Sequence, residues 1–576
     1  MKAQRIFDNL YAEGSRSNAP AFGYKFKGAW HTLSFDDYAR QSAWLAAALL
    51  ELGLQPGDKI ASITFNRPEW NILDMAVLQI GAVHVSLFPN FNIDDYRYSL
   101  EYTDCKAVFT TSKLIHNQLL ELGLPQLQQA FTFDAHKGTT SIQQLIEQGK
   151  GLDNQEQVKL ARSKVKPEDV ASIYLTSGTG GRSKGVVVSH MAIMNMVNAL
   201  KDLYTITADD VALSYAPLCV SSERSLNYYY QNHRICTYYA ESMMTIINNM
   251  QEVKPTIFLS APILLEKVRN GILEKSKELT GFKKAMLTWA LNQAAKSKEN
   301  QNPIAQFVAD KLAFGKLRGI MGGRVRFIMA GGAAIPEAIN QFFWNIGIPV
   351  YEGYGASECH IVAVNSDKYG IQFGTVGPAF TDVSIKLATD GEVLCKSPYL
   401  FDGYYKMPEL TAESFDAEGY FRTGDKGAMV DGKYLRITGR IKDIFKISTG
   451  RYIAPDYVEK QINNSVYIEQ SLVVGNNKDY VAALIVPSFA QLKQSALSPA
   501  QAQLDDEEIV MLPTVRNLIQ EELDRINQAF IESERVQRFE LLPSAFSIEN
   551  GDLTPSMKIK RIVVEGKYHK DIAALF

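Results

Sequence analysis

The sequence predicts an α/β protein: a large N-terminal domain of parallel βαβ sheets plus a small β subdomain, followed by a small α+β C-terminal domain. Three observations predict it. The chain has 576 residues, well past the ~250–300 at which a single hydrophobic core stops growing, so two or more domains are required. Short apolar runs alternate with helical patterns over most of the length, which is the pattern of βαβ units. After residue 370, Gly-Asp and Asp-Gly pairs become frequent, and these mark tight hairpins.

The elements follow in chain order. Lys59–Thr64 reads as a strand before a helical Trp70–Gln79, and Ala107–Thr110 as a strand before a helical Ser112–Leu122. Val170–Leu175 and Val186–Val188 are strands that enter and leave a glycine-rich loop, with a helix starting near Ser189 or His190. Glu274–Lys298 is helical in pattern and basic, with Lys275, Lys277, Lys283, Lys284, Lys296 and Lys298 around Phe282, Met286 and Trp289. Two readings of 274–298 stand: a solvated helix with its apolar stripe on the core, or a helix resting on an anionic membrane surface as a peripheral contact. Val325–Ile328 is a further strand. Asp390-Gly391, Asp402-Gly403 and Asp431-Gly432 are turn signals of the β subdomain. Beyond Gly439, a strand at Tyr480–Val486 and a helix at Val515–Glu534 suit a separate small domain.

Composition excludes several classes. Apolar residues make up 46% and charged residues 21%, which excludes a disordered or fibrous chain. Sixty basic against 63 acidic side chains leave a net charge of −3, so there is no global pull toward nucleic acid, and no nucleic-acid partner is expected. Cys105, Cys219, Cys236, Cys359 and Cys395 are odd in number, far apart and without a CxxC pair. This argues against a disulfide framework or a zinc site and fits a reducing compartment. The N-terminus lacks the apolar core of a signal peptide. The most apolar stretch, Ile72 to Phe88, is interrupted by Asp74, Gln79 and His84; it reads as a buried helix and strand, since a membrane span needs about 20 nearly uninterrupted apolar residues. The expectation is a cytoplasmic protein, soluble or membrane-associated.

The strongest local signal is Tyr174-Leu-Thr-Ser-Gly-Thr-Gly-Gly-Arg-Ser-Lys-Gly185. Gly178, Gly180 and Gly181 let the backbone bend back and offer N–H groups to an anion. Thr176, Ser177 and Thr179 add hydroxyls and Lys184 a charge, so every part suits a polyphosphate. A P-loop needs GxxxxGK[ST] directly before a helix. Here Lys184 follows Ser183, Gly185 follows Lys184, and the next element is a strand, so that reading fails on spacing and on context.

The loop resembles the TSGTTGxPKG signature of the adenylate-forming superfamily, and further motifs follow in the family's order. Met329-Ala-Gly-Gly-Ala-Ala-Ile-Pro336 is similar to the segment against which adenine packs, through Gly331, Gly332 and Ala333. Tyr351-Glu-Gly-Tyr-Gly-Ala-Ser-Glu358 resembles YGxTE. The resemblance implies that Tyr354 stacks on adenine, that Gly355 and Ser357 lie at the nucleotide, and that Glu358, with Thr179, binds Mg²⁺. Tyr420-Phe-Arg-Thr-Gly-Asp425 resembles YRTGD, whose carboxylate (Asp425) accepts the ribose hydroxyls. Gly439-Arg-Ile-Lys-Asp-Ile-Phe-Lys446 resembles GRxKDxIK, which implies a nucleotide contact for Arg440 and the hinge of a mobile C-terminal domain at Lys442. Leu553-Thr-Pro-Ser-Met-Lys-Ile-Lys-Arg561 looks like the long-chain acyl-CoA synthetase version of the last motif. Its catalytic lysine falls on Lys558, with Lys560 the nearby alternative. The implied boundary separates an adenylation domain, 1–439, from a C-terminal domain, 440–576.

The resemblance thus implies ATP, Mg²⁺ and coenzyme A as cofactors or co-substrates, with Lys558, Glu358 and Thr179 as the catalytic set. It implies activation of a medium- or long-chain fatty acid to acyl-AMP and then to acyl-CoA. Alternatives are another carboxylic acid, a carrier-protein thiol as acceptor, or a homologue reduced to nucleotide or lipid binding. Two departures motivate them. Gly180 and Ser183 stand where the family has Thr and Pro, and Val220 in Pro217-Leu-Cys-Val-Ser-Ser-Glu-Arg224 stands where the subgroup's PLSHxxER has His. Tyr228-Tyr-Tyr230 reads equally as the lining of an acyl tunnel or as core. Oligomeric state is open, a homodimer included.

Overall fold

The computed structural model describes residues 4–11, 17–152, 154–176, 183–201, 203–297, 300–554 and 557–576. Two large sheets dominate. The first has seven strands in the order Gly403–Tyr404, Lys184–Ser189, Val170–Thr176, Val83–Leu87, Lys59–Ile63, Cys105–Thr110 and Gln129–Thr132. The second has eight, in the order His360–Val364, Val350–Ala356, Phe327–Ala330, Ile257–Ser260, Val211–Ser214, Cys236–Tyr239, Pro20–Phe26 and Ala29–Ser34. Their central pairs are parallel. Strand Val83–Leu87 is buried at every position, as expected of a parallel sheet covered by helices on both faces. The apolar stretch 72–88 is indeed a buried helix and strand. Helix Pro68–Gln79 begins with proline in its first turn and buries every residue except Glu69.

Local sequence explains the boundaries. Ser112 and Ser189 cap helices Lys113–Glu121 and His190–Leu200 by accepting the N–H of Ile115 and of Ala192, satisfying donors that the first helical turn leaves free. Asp390-Gly391 and Asp431-Gly432 turn the hairpins of an antiparallel four-stranded sheet, Ser384–Leu387, Glu392–Lys396, Phe421–Val430 and Tyr434–Arg440. Asp431 and Gly432 both have positive φ, +51° and +63°, the left-handed conformation that the two central residues of a tight hairpin turn take; the Lys433 N–H closes it on the Val430 carbonyl at 3.1 Å.

The structure corrects the sequence reading in several places. The sheets are mixed, because Lys184–Ser189 returns antiparallel to Val170–Thr176, and Gly403–Tyr404 adds antiparallel beyond it. Asp402-Gly403 is therefore no hairpin turn. The Asp402 N–H bonds to the Val187 carbonyl at 2.8 Å and stitches this segment to the seven-stranded sheet. The basic stretch 274–298 is not one helix: Pro262–Glu278 ends, Leu279 and Thr280 intervene, and Gly281–Ala294 begins, with Gly281 at φ +59° at its start. The helix expected to run to Glu534 stops at Asn527 and is followed by a short 3₁₀ turn, Glu532–Glu534.

The C-terminal part has a three-stranded sheet of its own, Ile468–Val474, Val481–Pro487 and Val536–Leu541. Apolar clusters cover both of its faces, so it carries an independent core.

A charge network lies buried between the two large sheets. Asp74 accepts from Arg224 at 2.5 Å, from the Tyr228 hydroxyl at 2.6 Å, and pairs with His84 at 2.7 Å. Arg224 also donates to Tyr228 and to Ser172, both at 2.6 Å. Burial lowers the His84 pKa. Tyr228, Tyr229 and Tyr230 are all buried within one cluster, so of the two readings of the aromatic run the core reading holds. The five cysteines are buried free thiols. Among the described residues no helix is long and apolar enough to cross a membrane.

Candidate active site

The site is built where the ends of both large sheets meet the four-stranded sheet and the C-terminal part. Strand Val350–Ala356 carries Tyr354 and breaks register after it. Gly355 is required there: a Cβ would sit 1.6 Å from the His360 carbonyl oxygen. The bend sends the Tyr354 hydroxyl to Asp425 Oδ2 at 2.6 Å. Asp425 lies on strand Phe421–Val430 directly across from Arg440, whose Nε donates to Asp425 Oδ1 at 3.1 Å. Burial works to lower the Arg440 pKa, and the carboxylates of Asp425, Asp443 and Asp456 outweigh it, so the guanidinium stays charged.

Lys558 completes this cluster from the C-terminal part. Thr554, itself buried, holds the turn that presents it: the Thr554 N–H bonds to the Lys558 carbonyl at 2.7 Å, and the Lys558 N–H to Thr554 Oγ1 at 3.0 Å. Lys558 is exposed, and its ammonium feels the charges of Arg440, Asp425, Asp456 and Asp443. Partial desolvation, then the neighbouring guanidinium, pulls its pKa below the usual lysine value, against the three carboxylates.

A second cluster lies alongside. Lys184 pairs with Thr176 at the open end of the hairpin, and its Nζ sits 5.2 Å from the Tyr404 ring centroid. The Tyr404 hydroxyl donates to Glu358 Oε1 at 3.0 Å. Burial and then the charge of Lys442 lower the Lys184 pKa, and Glu358 raises it. Lys442, expected only as a hinge, is thus close enough for its charge to act on Lys184. The base of the loop is braced by the Tyr98 hydroxyl on the Ser183 carbonyl at 3.0 Å. Ser177, Gly178, Thr179, Gly180 and Gly181 lie outside the described residues.

The third part is the segment after strand Phe327–Ala330. Gly331 packs closely against Tyr354's strand: a Cβ would come within 3.3 Å of the Gly353 carbonyl. Gly332 has φ +84°, and it and Ala333 are exposed. Sequence reasoning missed what holds this segment. Lys460, on helix Pro455–Ile462, donates to the Ala334 carbonyl, and the buried Glu352 accepts the Ile335 N–H at 2.8 Å. Burial pushes Glu352 up to about 7 and Lys460 down to about 8, each charge partly offsetting the other's shift. Glu352 sits inside a motif already noted; nothing in the sequence singles out Lys460. Ser357 bonds to Ser221 at 3.1 Å, which ties the Tyr354 segment to the helix Val220 introduces. That helix has no side-chain cap at Val220.

The arrangement offers a charged site with cations in both clusters and a carboxylate in each. Among the described residues Glu358 has one carboxylate oxygen, Oε2, beyond its Tyr404 bond, and a carboxylate oxygen is the hard donor magnesium takes beside phosphates. The residues present fit that ion.

Comparison with known proteins gives a consistent picture. A family model described as AMP-binding enzyme matches residues 11–405, and one described as AMP-binding enzyme C-terminal domain matches 442–576. Long-chain-fatty-acid–CoA ligase FadD15 of Mycobacterium bovis is 29% identical over 565 residues, covering 95% of this chain and 93% of its own. Long-chain-fatty-acid–CoA ligase 1 of Cavia porcellus is 29% identical over 602 residues, covering 97% of this chain and 84% of its own. The crystal structure of the adenylation domain of a carboxylate reductase from Mycobacterium chelonae has the same fold, with TM-score 0.76 at 21% identity, covering 99% of this chain and 92% of that one.

Proposed function

Because the chain belongs to the AMP-binding enzyme family, we propose that it is an ATP-dependent ligase that activates a medium- or long-chain fatty acid to acyl-AMP and then to acyl-CoA. The hydrogen-bonded cluster of Tyr354, Asp425 and Arg440, with the Lys558 charge near enough to be felt by Arg440 and Asp425, carries this reading, supported by the relatives that match nearly the whole chain.

In the proposed first step a carboxylate oxygen of the acid attacks the α-phosphorus of ATP, and the bond to pyrophosphate breaks. Such chemistry is mostly positioning and charge neutralisation. Asp425 has acceptor capacity left for ribose hydroxyls, since a carboxylate offers about four lone-pair sites. Tyr354 and the Gly331–Ala333 segment form the bed for a flat base. Lys558 and Arg440 supply positive charge where negative charge develops on the phosphate, and Lys184 does so at the loop. Glu358 and Thr179 would hold Mg²⁺, which when bound neutralises phosphate charge. In the second step a thiol, coenzyme A, displaces AMP. The working division is 1–439 and 440–576, with Lys442 as the hinge about which the second domain moves. Buried free thiols fit a reducing, cytoplasmic compartment.

Pyrophosphate exchange that depends on added fatty acid, with acyl-CoA as the product, tests the reading. Acyl-AMP formation without transfer to coenzyme A would instead favour a carrier-protein thiol. Absence of pyrophosphate exchange in folded protein would overturn ligase activity altogether.

A further inference from the structure

The helices that follow strand Ile257–Ser260 carry an apolar face that the core does not use. Helix Pro303–Ala309 runs on through a π-helical turn, Asp310–Phe314, into Gly315–Gly319. One face of this rod is conventional: Ala309, Ala313, Phe314 and Leu317 are buried in the second core cluster. The opposite face holds Ile304, Phe307, Val308 and Leu312, at the i, i+3, i+4, i+8 spacing of a single stripe. These side chains are exposed: Ile304 76%, Phe307 63% and Leu312 47%. The neighbouring helix Gly281–Ala294 packs against the rod and adds Phe282, 82% exposed. A helix with two apolar faces is expected only where the second face also leaves water.

The surroundings of the stripe identify what covers it. Residues 263–318 contain eleven Lys and Arg against five Asp and Glu, in a chain of net charge −3. Lys311 lies within the stripe, its Nζ 5.8 Å from the Phe307 ring centroid. Lys283 and Lys284 follow Phe282 directly, and Lys316 lies one turn beyond Leu312; all are exposed. Two of the five acidic groups are paired within the span: Asp310 with Arg318 at 2.5 Å and Glu274 with Lys277 at 2.8 Å. The face is thus apolar at its centre, cationic at its rim, and built on the outer sides of helices rather than in a groove. That combination fits a flat anionic lipid surface, into which apolar side chains insert while lysines meet the headgroups.

We propose that the stripe Ile304, Phe307, Val308 and Leu312, with Phe282 and the lysines around it, docks the protein peripherally on anionic bilayers. The sequence pattern of 274–298 gave only the basic half of this face; its apolar half lies on the next helix. Docking here brings the protein to the surface in which poorly soluble acyl chains reside.

The test is vesicle co-sedimentation of the full chain without substrate, so its outcome is independent of the ligase reading. The vesicles are phosphatidylcholine alone, or phosphatidylcholine with phosphatidylglycerol, at low and high salt. Wild type is expected to sediment with the phosphatidylglycerol vesicles at low salt and to be released by high salt. The triple variant Ile304→Ser, Phe307→Ser, Leu312→Ser should bind at least tenfold more weakly. Lys283→Glu with Lys284→Glu should reduce binding by a similar amount, since each lysine near such a surface is worth about fivefold. The charge variant touches no buried residue and keeps the test open if the serine variant misfolds. Binding equal on neutral and anionic vesicles, or unchanged in both variants, overturns the proposal. So does a wild-type dimer in analytical ultracentrifugation that the serine variant converts to monomer, because the stripe then serves a second copy of the chain.

Discussion

Two aspartates in this molecule have nearly the same neighbours and opposite circumstances. Asp74 accepts from a tyrosine hydroxyl at 2.6 Å and from an arginine, and so does Asp425. In the core, Arg224 is fully buried and donates from all three of its nitrogens, to Tyr228, Ser172 and Asp74. In the cleft, the Arg440 side chain is 39% exposed, and among the described residues only its Nε is bonded. The same three chemical groups therefore form a closed network in one place and an open one in the other. A closed network stabilises by leaving nothing unmet, since an unpaired buried charge is costly. An open one keeps donors and acceptors for a ligand.

Substitutions should separate the two. Arg224→Met leaves Asp74 buried and uncompensated, and should cost about 3–5 kcal/mol in denaturant unfolding. The double variant Asp74→Leu, Arg224→Met should be less damaging than either single change; a double as damaging as the sum would break the comparison. Lys558→Ala should leave stability within about 0.5 kcal/mol. It should lower the acyl-adenylate step about 10²–10³-fold, the magnitude for one preorganised charge at the reacting centre. Thioester formation from supplied acyl-adenylate should survive, and equal loss of both half-reactions would remove Lys558 from its assigned role. Asp425→Asn should weaken nucleotide binding in calorimetry by about 1.5–3 kcal/mol, the range for hydrogen bonds to a charged group. The paired tyrosines give the smallest and sharpest contrast. Tyr228→Phe should destabilise by about 1–3 kcal/mol because it leaves buried partners unmet. Tyr354→Phe should barely move the melting curve and should act on nucleotide affinity instead.

pH separates the regions again. His190 is buried with its pKa lowered to about 4 by desolvation. A histidine that binds its proton less well folded than unfolded contributes stability that is complete above about pH 6.5 and is lost as the pH falls toward 4, by about 3 kcal/mol for this shift. Thermal melts across that range should show the loss, and His190→Gln should flatten it. In the cleft, the lowered pKa of Lys558 has the opposite sense. Its ammonium is present at low pH and lost as pH rises, earlier than for an ordinary lysine. Adenylation should decline on the alkaline side while the fold remains intact.

Much of this was legible in the order of residues. The βαβ alternation, the buried 72–88 stretch, the serine caps and two of the three Asp-Gly turns are local signals, and local signals survive into the structure because backbone sterics and periodicity act over a few residues. Tyr354, Asp425, Arg440 and Lys558 were each marked by a motif, and the structure brings all four together although some 200 residues separate the first from the last. Where the sequence misled, a distant partner decided. Asp402-Gly403 looked like a hairpin turn until the edge of another sheet took its N–H. Tyr228–Tyr230 could have lined a tunnel, and burial against Asp74 and the neighbouring strands made them core.

What the chain alone determined is the inventory: α/β architecture, a family signature in the right order, and the chemical groups a nucleotide needs. What only tertiary structure decided is which of those groups are closed off and which stay available. A motif marked Asp425 and an apolar run surrounded Asp74, but the sequence does not show which partners close one network and leave the other open, because desolvation depends on what packs around a carboxylate from far along the chain. The same holds for Lys460, which nothing in the sequence singles out and which together with Glu352 holds the segment Ala334–Ile335.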